Sequence, residues 1–135
     1  MVPVPMNAAL QGKAYPSIAF PVEQEHVRRF AEAVGDDGSF VPPTFVTAPE
    51  IAAGLAQVVA VEELALDFAR VVHVEQEYEW TRAVEVDETL EVRSTIESIR
   101  TKGPLEFLTL RTEMRDEAGA VVVVARSTLV VRGSA

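Results

Sequence analysis

The chain has 135 residues, of which 48% are hydrophobic and 24% charged, a composition typical of one folded domain rather than a disordered chain. Its net charge of −9 argues against nonspecific nucleic-acid binding, which depends on clustered Lys and Arg side chains. It contains no cysteine, which excludes disulfides, thiolate metal sites and cysteine nucleophiles and fits a reducing cytoplasm.

The N-terminal segment MVPVPMNAALQGK lacks the basic-then-apolar pattern of a secretion signal, and its two prolines predict an extended arm over residues 1–9. The longest apolar stretch, IAAGLAQVVAVEELAL, is interrupted by Gln57, Glu62 and Glu63 and is too short and polar to span a membrane. We therefore expect a single cytoplasmic domain, residues 1–135.

The segment PVEQEHVRRFAEAVG predicts the first helix, because its apolar residues recur at helical spacing and Gly35 favours a C-terminal end. The apolar stripe consists of Val27, Phe30, Ala31 and Val34. His26 lies off this stripe, so we expect it at the surface. The following GDDGSFVPP has the composition of turn and loop.

TAPEIAAGLAQVVAVEEL predicts a second, longer helix. Thr47 and Glu50 match a capping box, which accounts for Glu50 without any chemistry, and Pro49 suits the first turn. The predicted apolar stripe is Ile51, Leu55, Val58 and Val59. Small residues around Gly54 keep the helix thin, as is needed if a curved sheet is to wrap around it.

From Val71 onward the hydrophobic period changes to two, which predicts strands. VVHVEQEYEW places Val72, Val74, Tyr78 and Trp80 on the core face, and His73 with three glutamates on the other. LEVRSTIESI and FLTLRTEMR alternate in the same way, and VVVVARSTLVVR resembles a central strand. Short links between these four segments predict an antiparallel meander. The result is an α+β domain in which a sheet covers a long helix.

AEAVGDD, VPPTF and VVHVEQEYEWTRAVEVDETL follow one another in an order that resembles the hot-dog fold, and more narrowly the MaoC-like hydratase and dehydratase family in its FAS1-like dehydratase N-terminal branch. The resemblance runs from about residue 10 to residue 132. It implies an antiparallel sheet wrapped around a long central α-helix. It also implies that the ligand is an enoyl or (R)-3-hydroxyacyl thioester of coenzyme A or acyl carrier protein, with no cofactor.

Active members of this family carry G-D-x-N-P-x-H, in which an Asp and a His share the reacting water. Gly35 and Asp36 match this motif, but Val41 stands where the His would be. Most of the segment that usually separates the Asp from PPTF is missing here. The resemblance implies Asp36 as the retained catalytic residue. It implies the following substrate-binding residues: Pro43, Thr44, Phe45, Gly54 and His73.

Some of these residues also have purely structural interpretations. Asp36 and Asp37 follow a helix, where aspartates commonly accept hydrogen bonds from turn N–H groups. His73 is expected to point away from the helix, in a structural or interface position, or alternatively to contact the thioester. The two dispersed histidines and the absence of a ligand-spacing motif predict no metal site.

Three functional hypotheses remain open from the sequence. The chain is a non-catalytic subunit that binds the acyl chain beside a catalytic hot-dog partner. Alternatively, it is a thioesterase or self-sufficient hydratase that uses Asp36 or Glu50 in a homodimer, or it is a non-enzymatic acyl-ligand binding module. All three predict at least a dimer, because a single hot-dog unit leaves a strand edge exposed. None of them involves nucleic acid or a membrane.

Overall fold

The computed structural model describes residues 5–132, apart from the side chains of Val59 and Glu62. Within these residues the chain forms three α-helices and a five-stranded antiparallel sheet. The helices are α1 (Gln24–Val34), α2 (Thr47–Ala53) and α3 (Leu55–Ala60). The strands are β1 (Ile18–Pro21), β2 (Val71–Trp80), β3 (Thr89–Lys102), β4 (Leu105–Arg115) and β5 (Val121–Val131). Single 3-10 turns occupy Ala8–Leu10, Pro43–Val46, Glu62–Leu64 and Phe68–Arg70. None of the helices in this part of the chain is long and apolar enough to cross a membrane.

The strand order is β1-β3-β4-β5-β2, so the predicted meander is correct for β3, β4 and β5 and wrong for β2. Residues 81–88 do not form a hairpin but carry the chain across the sheet from β2, at one edge, to β3, which lies next to the opposite edge strand β1. They pass the β4–β5 turn, where Arg82 approaches the carboxylate of Asp116 at 3.5 Å. The length and composition of a short link do not reveal which strand it leads to. The unpredicted β1 has four residues, too few to show an alternating pattern.

A bidentate ion pair between Arg82 and Glu88 holds the crossing segment, residues 81–88, in place. Arg82 donates to both carboxylate oxygens of Glu88, at 2.7 and 3.0 Å, and the Glu85 N–H donates to the same carboxylate at 2.7 Å. The hydrogen bonds from Arg82, and to a smaller extent the one from Glu85, hold the pKa of Glu88 below its ordinary value of 4.5. This carboxylate therefore contributes stability above pH 4.5, and the contribution is lost as the pH falls through the lower folded-state pKa.

We expect Glu88→Gln to lower the free energy of unfolding at pH 7 by up to about 1 kcal/mol, the usual range for a partly exposed ion pair. At pH 3 the difference from the wild type should be smaller, because protonation of the wild-type carboxyl removes the same ion pair as the pH falls below 4.5. Urea unfolding at both pH values measures this, with the exposed Glu117→Gln as the control. An equal difference at both pH values would show that the ion pair is not the cause.

The predicted long central helix is interrupted at Gly54, which has φ −102° and ψ −84°. At this residue the backbone lies against β3: a Cβ would fall 2.8 Å from Ser94 Oγ and 3.0 Å from the carbonyl oxygen of Glu50. The helix therefore ends at Ala53 and resumes as α3 at Leu55. Of the predicted stripe, Val58 is buried, Leu55 is half-buried and Ile51 is 48% exposed, while the Val59 side chain lies outside the described set.

One core cluster surrounds Phe45, which is fully buried. The rings of His26, Phe30 and Phe20 lie 4.9, 5.6 and 6.3 Å from it. The expectation that His26 is exposed is therefore wrong: it is half-buried because the Pro43–Val46 turn packs against this side of α1. α1 ends as predicted, at Gly35 with φ 76°. Within the predicted α1 stripe, Val34 is 54% exposed.

A second core cluster lies around Leu64, Ile96 and Leu108 at the other end of the sheet. Residues 1–4 of the predicted N-terminal arm lie outside the described residues. In the remainder of that arm, Met6 is buried, its N–H donates to the Glu106 carboxylate at 2.9 Å, and Ala8–Leu10 forms a 3-10 turn rather than an extended segment.

Candidate functional site

A bulge at Val74 reverses the side of the sheet on which each side chain in the first half of β2 lies. His73 pairs with Leu129 and Glu75 with Thr128, so Val74 is an extra residue in the ladder. The pairing places the following β2 residues on the side of the helices: Val71, His73, Gln76 and Tyr78. The prediction that His73 points away from the helices is therefore wrong, because one inserted residue inverts an alternation with a period of two. Val72 and Val74, predicted in the core, are 41% and 53% exposed.

A cavity of about 230 Å³ opens between α2, the start of α3 and the sheet. Most of its wall is apolar, contributed by Ile51, Leu55, Phe68, Val71, Leu110 and Leu129. Its polar wall consists of Thr47, Glu50, His73, Gln76, Thr112 and Ser127. Ile51 and Phe68 are about half exposed and mark the mouth, whereas Leu110, Thr112 and Leu129 are buried and form the floor. A concave, mostly apolar site with a few grouped polar side chains is typical of small-molecule binding.

Glu50 is the buried carboxylate in this wall, with 5% of its surface exposed. Its Oε1 accepts a hydrogen bond from the Tyr78 hydroxyl at 2.8 Å. Its Oε2 accepts from Gln76 Nε2 at 2.9 Å and from Ser127 Oγ at 2.8 Å. The predicted capping box is wrong: Val46 is the N-cap of α2, no side chain caps it, and Glu50 projects towards the sheet instead.

Thr47 completes this network, since its hydroxyl lies 2.8 Å from the Tyr78 hydroxyl. Burial raises the pKa of Tyr78 well above its ordinary value of 10, and the Glu50 carboxylate beside it raises it further. The phenol therefore stays protonated and donates a hydrogen bond to Glu50. We refer to Thr47, Glu50, Gln76, Tyr78 and Ser127 as the Glu50 cluster. The sequence did not reveal this cluster, because Gln76 and Ser127 are polar residues that face the interior. The Val74 bulge also hides the direction of the Gln76 side chain.

Of the residues that the sequence suggested for substrate binding, Gly54 and His73 line the cavity. The His73 ring Nε2 lies 3.0 Å from the Glu75 carbonyl oxygen, which only accepts hydrogen bonds, so Nε2 carries the proton. Nδ1 of a neutral His73 is then an acceptor. Phe45 is fully buried in its core cluster and is not part of the cavity wall.

Pro43 and Thr44 are exposed, and neither lines the cavity. Pro43 belongs instead to a separate apolar groove of about 300 Å³, formed with Val41, Pro42, Val46, Trp80, Ala83 and Val84. Among the side chains that the structure describes, no three acidic or imidazole groups are close enough together to hold a metal ion.

The sequence profile of the family described as "FAS1-like, dehydratase domain region" matches residues 37–125, about two thirds of the chain. The chain belongs to the FAS1-like dehydratase family. A UPF0336 protein of Streptomyces coelicolor is 36% identical over 96% of this chain and 97% of its own length. That alignment extends over 146 positions, more than the 135 residues present here, so the relative contains residues that this family member lacks.

Solved structures show the same fold. The HadBC (3R-hydroxyacyl-ACP dehydratase) complex of Mycobacterium tuberculosis superimposes with a TM-score of 0.77 at 24% identity, covering 90% of this chain and 96% of that one. A MaoC-like dehydratase superimposes with a TM-score of 0.79 at 22% identity, covering 92% of this chain but 42% of that chain. The predicted hot-dog fold and the resemblance to MaoC-like dehydratases are both confirmed.

Asp36, which the resemblance implied as the retained catalytic residue, does not line the cavity. It is exposed, and its carboxylate accepts the Gly38 N–H at 2.9 Å. Asp37 accepts the Ser39 N–H at 2.9 Å in the same way. Val41, where the resemblance would place a His, is half-buried against the Phe45 core cluster. Both aspartates therefore make the turn contacts that the sequence offered as their structural interpretation.

Proposed function

We propose that this chain is an acyl-thioester-binding hot-dog subunit of a hydratase or dehydratase and lacks a catalytic pair of its own. The observation that carries this proposal is the apolar cavity between the α2–α3 break and the sheet, which suits an alkyl chain. Its volume of about 230 Å³ is below the roughly 300–1,000 Å³ of typical small-molecule sites. A short acyl chain, rather than a long one, therefore fits the space inside a single chain.

The positions of the acid–base groups support a non-catalytic role. Hydration of an enoyl thioester needs a base for the water and an acid for the α-carbon, both within reach of the substrate. Asp36 holds a turn outside the cavity, and Val41 has no ionisable group. Of the two imidazoles, His26 packs on Phe45, and His73 lies at the cavity with none of the described carboxylates bonded to its ring. A catalytic partner subunit would have to supply the pair.

The surface of β2 supports such a partner. β2 is an edge strand, and it exposes Val72, Val74 and Trp80 at 41–53% of their surface. Exposed apolar residues on an unpaired strand edge favour pairing with another chain. The HadBC dehydratase is itself described as a complex, which is consistent with a heterodimer of hot-dog subunits. A homodimer is the alternative, and the acyl carrier is coenzyme A or acyl carrier protein.

The test is hydration of short-chain and long-chain trans-2-enoyl-CoA by the purified chain alone, followed by absorbance at the enoyl band. We expect no turnover above the Asp36→Asn variant, while the melting temperature rises with acyl-CoA concentration, as binding to the folded state requires. Turnover at ordinary enzyme rates that disappears in Asp36→Asn would overturn the proposal. Absence of any melting shift would also overturn it.

A second candidate function follows from Glu50, because a buried carboxylate in the wall of an acyl-sized cavity can activate water against a thioester. In that case the chain is a self-sufficient thioesterase or hydratase. Release of free thiol from acyl-CoA by the wild type, lost in Glu50→Gln with an unchanged circular dichroism spectrum, distinguishes it from the first proposal. A non-enzymatic binding module would show ligand-dependent melting, no turnover and no catalytic partner in pull-downs.

A further inference from the structure

The hydrogen-bond donors of the Glu50 cluster are all in use. The Tyr78 hydroxyl donates to Glu50 Oε1, so Thr47 must be the donor in its contact with Tyr78. The amide nitrogen of Gln76 donates to Glu50 Oε2 at 2.9 Å and to the Arg126 carbonyl at 3.2 Å, which uses both of its protons. No donor of the cluster is left for a ligand.

Acceptors, in contrast, are in excess. The single proton of Ser127 lies within reach of both Glu50 Oε2, at 2.8 Å, and Gln76 Oε1, at 2.7 Å, so one of these oxygens always lacks it. A carboxylate offers about four lone-pair sites, and three hydrogen bonds reach Glu50, one of them on Oε1. Oε1 can therefore accept another hydrogen bond.

The charge of the cavity wall also favours a neutral hydrogen-bond donor as the group that meets Glu50. No Lys or Arg lines it, and none of the ion pairs among the described side chains involves Glu50. A carboxylate brought into this space would meet Glu50 without a compensating cation, whereas a neutral hydrogen-bond donor would complete its bonding. An ammonium group would also match, but its desolvation costs far more than that of a hydroxyl.

The burial gradient determines which part of an acyl thioester reaches the cluster. Ile51 and Phe68 at the mouth are about half exposed, whereas Glu50 is 5% exposed. The large polar carrier of an acyl thioester, whether coenzyme A or acyl carrier protein, is too big for a cavity of about 230 Å³ and stays outside the mouth. The end of the acyl chain remote from the thioester is therefore the part that lies beside Glu50.

We infer that the cavity recognises acyl chains that carry a hydroxyl at or near the end remote from the thioester, and that this hydroxyl donates to Glu50 Oε1. The inference rests on the proposed acyl-thioester binding and names the class of chain that the site selects. Glu50 is then a specificity-determining residue, and its neighbours Gln76, Tyr78 and Ser127 are positioning residues that hold its carboxylate.

The experiment is isothermal titration of the full chain with matched pairs of ligands, hexanoyl-CoA against 6-hydroxyhexanoyl-CoA and octanoyl-CoA against 8-hydroxyoctanoyl-CoA. We expect the hydroxylated member of at least one pair to bind about tenfold more tightly, as a hydrogen bond to a charged acceptor provides. Adipoyl-CoA, which ends in a carboxylate, should bind more weakly than hexanoyl-CoA. In Glu50→Gln the hydroxyl preference should fall below about threefold, and in the exposed Glu79→Gln it should persist.

Failure of this inference is distinguishable from failure of the proposed function. If the wild type binds plain and hydroxylated acyl-CoA equally well, acyl binding stands and the hydroxyl preference is wrong. If it binds neither, both proposals fail. A preference that survives in folded Glu50→Gln would show that another group recognises the hydroxyl. The wild-type comparison needs no variant, so it remains decisive if Glu50→Gln does not fold.

Discussion

Phe45→Ala is expected to lower the free energy of unfolding by about 3–5 kcal/mol, the usual cost of truncating a buried phenylalanine. Phe45 is fully buried, and three rings surround it: Phe20, His26 and Phe30. Its removal leaves a cavity between α1, the Pro43–Val46 turn and the sheet that these rings cannot fill. Urea or thermal unfolding followed by circular dichroism measures the loss.

Phe40→Ala is the matched control, because Phe40 lies in the preceding loop and is 85% exposed. The same truncation there should change stability by less than about 0.5 kcal/mol. The resemblance to the dehydratase family suggested Phe45 as a substrate-binding residue. A core residue and a ligand contact predict different effects of Phe45→Ala, on stability in the first case and on acyl-CoA binding in the second. If Phe45→Ala keeps wild-type stability but loses acyl-CoA binding, the burial argument is wrong and the residue acts on the ligand.

Gly54→Ala is expected to destabilise the protein by about 1–3 kcal/mol, the cost of overpacking a tight site. The new methyl group would lie 2.8 Å from Ser94 Oγ and 3.0 Å from the Glu50 carbonyl oxygen. Ser94 cannot turn aside freely, since it is buried and bonded to Thr112 Oγ1 at 2.6 Å. In a continuous helix the same change would instead stabilise by about 1 kcal/mol. A destabilising effect would therefore show that the helix backbone approaches β3 closely at Gly54.

A double-mutant cycle with Ser94→Ala sharpens this test. Removing Oγ eliminates the closest contact, so Gly54→Ala should cost less in the Ser94→Ala background than in the wild type. Part of the cost should remain, because the Glu50 carbonyl oxygen is backbone and stays in place. Equal melting temperatures for the wild type and Gly54→Ala would contradict the close approach of helix and sheet.

Gly54 also links the fold to the site. It lines the cavity directly, and the break places α2 and α3 so that Glu50 and Leu55 both face the same space. A larger side chain at this position would therefore reduce the volume available to a ligand as well as the stability. For this reason, acyl-CoA binding by any Gly54 variant is best compared at a temperature where the variant remains folded.

Local sequence patterns were enough to predict which side chains of β3 and β4 face the core and where α1 ends. Leu90, Val92, Ile96, Leu108, Leu110 and Met114 are buried as their alternation predicted. Gly35 takes the left-handed conformation at the helix end, where glycine is favoured. These features depend on local periodicity and on the steric limits of single residues, which a sequence states directly. The order of family motifs likewise indicated the hot-dog fold.

The site, in contrast, depends on contacts between segments that are far apart in the chain. Glu50 meets Gln76 and Ser127 across 26 and 77 positions of sequence, so α2, β2 and β5 must all be placed before the cluster exists. The Val74 bulge, which turns His73 towards the cavity, arises from pairing with β5. The helix is interrupted at Gly54, where its backbone lies close to Ser94 of β3. Each depends on a strand far away in the chain, and the residues next to them in sequence favour the regular strand and the continuous helix instead.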